Sequence, residues 1–116
     1  MPTEPVTARC LVLDAPAEVS ATLADAPGLV FGPDELTGFE AVIRLYPRPP
    51  SPFHRQQLLS EVRLDALSRA PVRINAVIVG DPSPTADLVR YLARASAVTG
   101  QVLAASAAPS TRGRNP

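Results

Sequence analysis

Lysine and tryptophan are absent from this chain of 116 residues, and cysteine, histidine and methionine each occur once. A single cysteine, Cys10, excludes an internal disulfide, and with His54 as its sole imidazole partner it excludes a zinc site of the usual Cys/His composition. All positive charge rests on 11 arginines, balanced by 11 acidic residues, so the chain lacks the basic field of a general nucleic-acid or membrane-surface binder. The balance tilts mildly acidic over residues 1–60 and basic over 61–116, too little to name a partner. Long apolar runs are also missing. The longest is far short of a membrane span, and the start Met1-Pro2-Thr3-Glu4-Pro5 has neither the basic cluster nor the apolar stretch of a leader, which points to the cytoplasm.

Apolar residues make up 46% of the chain and charged residues 19%, enough for one core and one domain. We expect that domain over residues 8–106, with flexible ends at 1–7 and 107–116 that lack periodicity. Arg9-Cys10-Leu11-Val12-Leu13 reads as a buried strand ended by Asp14-Ala15-Pro16. A helix follows, with Val19 and Leu23 at helical spacing and Pro27-Gly28 as its stop. Residues 28–38, with three glycines, read as a loop holding a short extended piece at Leu29-Val30-Phe31. Glu40 to Tyr46 is the second strand, and the prolines at 47, 49, 50 and 52 hold the next connection extended.

The second helix runs from Pro52 or Phe53 to Ser68, with Leu58, Leu59, Val62, Leu64 and Leu67 as its apolar stripe. Val72 to Val79 is a strand apolar enough to be covered on both faces. A third helix follows Gly80-Asp81-Pro82-Ser83-Pro84-Thr85, carries Leu88, Val89, Leu92, Ala93 and Val98, and closes at Gly100 before a last strand at 101–106. The order β-α-β-α-β-α-β implies an α/β fold with a four-stranded parallel or mixed sheet packed by helices.

In such sheets ligands meet the edge formed by the carboxyl ends of the strands, here Asp14-Ala15-Pro16, Tyr46-Pro47-Arg48, the 80–85 turn and Ser106. Ser83, just before a helix, is the phosphorylation candidate, because a helix start favours an added anion; its ordinary role would be a cap. Asp81, Thr85, Asp87, Arg90 and Arg94 are the interaction-surface candidates, the last three forming a charged stripe whose ordinary role is a solvated face. His54 has no local nucleophile or orienting carboxylate, and Cys10 reads as a buried, inert thiol. Gly80 is followed by two prolines, which remove the N–H donors a phosphate-binding loop needs. No residue set calls for a catalytic assignment, a cofactor or a metal.

The stretch from Gly38 to Pro109 resembles the STAS domain of bacterial anti-sigma factor antagonists. The likeness lies in a strand (Ala41 to Tyr46), a helix (Phe53 to Ser68), a buried strand (Ile74 to Val79), and an Asp-x-Ser turn (Asp81, Ser83) opening a Leu-rich helix. That resemblance implies a small regulatory protein whose Ser83 is phosphorylated by an anti-sigma-type kinase, the added charge switching binding. The departures are Pro82 and Pro84 beside the serine, the extra unit at 8–27, and no helix after the last strand. A second resemblance, to the start of crotonase-type acyl-CoA enzymes, rests on Arg48-Pro49 and Ala86-Asp87-Leu88. It implies the alternative, a small enzyme or non-catalytic enzyme subunit using the strand-end groove, with His54, Asp81 and Ser83 as the groups to test.

Overall fold

The computed structural model describes residues 9–106; the expected flexible ends at 1–7 and 107–116 lie outside the described residues. Five strands and three helices follow in the order β1 (Cys10–Leu13), α1 (Ala17–Thr22), β2 (Leu29–Phe31), β3 (Ala41–Tyr46), α2 (Pro52–Ser68), β4 (Arg73–Ile78), α3 (Pro82–Arg94) and β5 (Val102–Ala104), with no helix between β2 and β3. The strands form one sheet in the order β2-β1-β3-β4-β5, and every neighbouring pair is parallel. The sheet therefore has five strands rather than four. Leu29–Phe31 is a full edge strand, in register with Cys10–Val12 of β1.

Pleating sends alternate side chains to opposite faces, and β1 is buried along its whole length. Cys10, Val12, Ile43, Leu45 and Val77 face α1 and α3, whose Val19, Leu23, Ala86, Val89 and Leu92 complete that side of the core. The other face, with Leu11, Val42, Ile74, Ala76 and Ile78, packs on α2 through Leu58, Val62 and Ala66. The inward stripe of α2 is thus the i, i+4, i+8 row. Leu64 and Leu67, expected in it, point to solvent at 67% and 77% exposure.

Local sequence explains most of the boundaries. Ser51 caps α2, its hydroxyl accepting the His54 N–H at 3.3 Å, and Pro52 occupies the first helical position, where its missing N–H costs nothing. The third helix stops at Arg94 and does not run on to Gly100. Arg73, reaching across from β4, donates to the carbonyls of Leu92 (3.1 Å), Ala93 (3.5 Å) and Ala95 (2.8 Å) and so holds the helix end. Beyond it, the Asn75 amide donates to Val98 O while its carbonyl accepts from Gln101 N–H, and Thr99 Oγ1 accepts from Ile74 N–H. These bonds latch the 95–101 segment to β4 and feed β5 into the sheet.

Candidate functional site

Because all strands run the same way, their carboxyl ends share one edge, and the connections out of β1 and β3 leave in opposite directions across the sheet. The gap between β1 and β3 is therefore the switch point where such sheets hold ligands. Asp14 follows β1 in the left-handed region, with φ of 62°, an uncommon conformation outside glycine. Arg44 of β3 spans the gap, at 2.7 Å from Asp34 beyond β2 and 3.5 Å from Asp14. Arg69 lies 3.9 Å from the same Asp34 and 3.7 Å from Asp65, extending the chain of charges onto α2. Burial alone would lower the Arg44 pKa; the Asp34 hydrogen bond and the neighbouring acids outweigh it and raise it.

Beside this network, between β3 and α2, is a crevice of about 220 Å3 lined by Val42, Arg44, Tyr46, Glu61, Val62 and Asp65. Burial pushes the half-buried Tyr46 phenol up, Arg44 partly opposes this, and Glu61, Asp14 and Asp65 add to it. Tyr46 stays neutral there.

At the same sheet edge, the N-cap of α3 is Asp81, whose side chain makes no capping bond. Ser83 is exposed in the first turn. Pro82 and Pro84 contribute no N–H, Asp81 N–H is taken by Ser106 O, and Thr85 N–H by Asp81 O. Among the described residues, an anion at the start of α3 finds only the Ser83 N–H free in that turn, so a phosphate on Ser83 would act through its charge at the exposed edge. Thr85, expected at the surface, is fully buried, and its hydroxyl accepts the Gly80 N–H at 3.0 Å. Its signal was its place in the turn, which fits an inward local lock equally well.

Asp87 and Arg90 form an exposed pair at 3.0 Å, with Arg90 also touching Thr22 O at 3.4 Å, and Arg94 stands exposed at the helix end. His54 is exposed, its Nδ1 2.7 Å from Ser51 Oγ. None of the described cavities is lined by His54, Asp81 or Ser83. Cys10 is fully buried and burial pushes its thiol up to about 12, partly opposed by Arg73. Among the described residues, no group of three or more His, Cys, Asp or Glu is placed to hold a metal, and no helix is long and apolar enough to cross a membrane. The Arg44 network was not foreseen. Its members are spread along the sequence, and only the strand order makes them neighbours.

Compared with known protein families, residues 12–105 match the SDR-like family, described as short chain dehydrogenase-like protein. The chain belongs to this family. No curated protein and no solved structure matches it significantly.

A dehydrogenase relationship raises the question of a nicotinamide dinucleotide, whose pyrophosphate sits on the first helix start, over a glycine-rich β1–α1 turn. In this SDR-like chain that turn is Asp14-Ala15-Pro16, without glycine. Pro16 is the N-cap and has no N–H, α1 has 6 residues, and Glu18 adds a second acid to Asp14 where a pyrophosphate needs positive potential. Asp34 stands about where dinucleotide folds carry the ribose-binding acid, roughly 20 residues past the turn, yet Arg44 and Arg69 engage its carboxylate. The residues present do not fit the dinucleotide.

Proposed function

We propose that this SDR-like domain is a non-catalytic, cytoplasmic binding or regulatory module that engages a protein partner along the carboxyl edge of its sheet. The observation that carries this reading is the β1–α1 turn: with Asp14, Pro16 and Glu18 where a dinucleotide needs glycines, free N–H groups and positive potential, redox chemistry has no cradle. What that edge offers is an exposed surface with Ser83 at the opening of α3 and the Asp87–Arg90 pair on the same helix. In the STAS-like version of the proposal, a kinase partner phosphorylates Ser83. The added charge of about −2 then repels acidic groups of that partner and releases it.

The test is titration of the folded chain with NADH and NADPH, followed by nucleotide fluorescence. The expected result is no saturable binding; a dissociation constant below about 1 mM for either nucleotide would overturn the reading.

A further inference from the structure

The opposite end of the sheet carries the largest of the described cavities, about 660 Å3, between the starts of β3 and β4 and the last turn of α3. Its walls are mostly apolar, with Phe39, Pro71, Val72 and Ala93 among them, and its charged groups are Arg73, Arg94 and Glu40. That volume lies in the range of small-molecule sites.

Unlike Arg44, Arg69 and Arg90, which each pair with an aspartate, Arg73 and Arg94 have no carboxylate within salt-bridge distance among the described residues. Arg73 is held in place by the three carbonyls at the end of α3, which take both hydrogens of Nη1 and one of Nη2. Its other N–H donors have no partner among the described residues. A guanidinium fixed in position with donors to spare, on the wall of a largely apolar cavity, suits a carboxylate. Arg94, the last residue of α3, supplies a second cation on the same wall. Glu40 offsets one of these two positive charges, and Arg9 is held over the Phe39 ring, 4.7 Å from its centroid.

We propose that this cavity binds a small monocarboxylate with an aromatic or branched apolar body, the carboxylate on Arg73 and Arg94 and the body against Phe39, Val72 and Ala93. The site lies away from the edge assigned to a protein partner and stands whether or not that assignment holds.

Calorimetric titration of the full chain at low salt with phenylacetate, and with its neutral isostere phenylacetamide, tests this. The acid is expected to bind about tenfold more tightly than the amide, because hydrogen bonds to a charged group outweigh neutral ones. Arg94→Ala should lose about that factor, and Glu40→Gln should tighten binding by about threefold through loss of a like charge. Amide NMR shifts should cluster at Phe39, Val72 and Ala93, and thermal melts of the variants separate lost binding from lost fold. Equal affinity for acid and amide, no heat from phenylacetate up to about 10 mM, or NMR shifts centred on the carboxyl edge would each overturn the proposal. So would unchanged affinity in a folded Arg94→Ala variant.

Discussion

Arg44 donates to the Asp34 carboxylate across 2.7 Å, a contact that ties the central strand to the segment following edge strand β2. Both side chains are partly exposed, at 30% and 52%, so the pair is worth about 1 kcal/mol or less. Arg44→Ala should lower stability by that amount at low salt, and the difference should shrink at high salt, read from urea midpoints.

Gly80 has a sharper requirement. A Cβ there would lie 2.5 Å from Ser106 O and 2.7 Å from Ala105 O, both backbone atoms. Gly80→Ala should therefore cost about 1–3 kcal/mol by overpacking and loosen the Asp81 N–H to Ser106 O bond, seen as faster amide exchange at Asp81.

Cys10 should make stability fall in alkali. Its thiol moves from an ordinary 9.0 to about 12 in the folded chain. Below pH 9 both states keep the proton and nothing is lost; between the two values the unfolded chain releases it and the native chain holds it. Unfolding then gains about 1.4 kcal/mol per pH unit. Tyr46, also raised, acts in the same direction, so Cys10→Ala should reduce the slope without abolishing it.

Ser83→Asp should weaken retention of a kinase-like partner, while Ser83→Ala should not. Quantified affinity capture on immobilised wild type and both variants measures this, and equal retention by all three would remove the switch. Ser83 is exposed, so both variants should melt within about 0.5 kcal/mol of wild type.

On α2, Leu58→Ala should cost about 2–4 kcal/mol and Leu67→Ala under about 0.5 kcal/mol, by chemical denaturation, since Leu58 is 7% exposed and Leu67 is 77% exposed.

That last contrast shows where sequence patterning runs out. Leu58, Leu59, Val62, Leu64 and Leu67 all fit a helix, but apolar residues sit on two opposed sides of α2, and only docking on β4 selects the row through Leu58, Val62 and Ala66. Strands β1, β3 and β4 and the extent of α2 were legible because each is a sustained run closed by a proline within a few residues of its end. The edge strand β2 was legible as a short extended piece at Leu29–Phe31 but not as a fifth member of the sheet, being three half-buried residues between glycines that join it only by pairing with β1. The end of α3 was misplaced because its stop comes from Arg73, an average of about 20 residues away in sequence. The strand-end segments of the candidate site could be read off the sequence, but not Arg44 as the residue that joins them: its contacts with Asp14 and Asp34 depend on β1 lying between β2 and β3.

An all-parallel sheet has no hairpins. Each strand must wait for a crossover before it finds a neighbour, so native order cannot zip up locally and closure over long loops governs the refolding rate. During synthesis, central β3 acquires β1 as soon as it emerges but lacks its second neighbour until residue 78 has left the ribosome. Until then its outer edge is an open template for intermolecular pairing, which exposes the growing chain to aggregation.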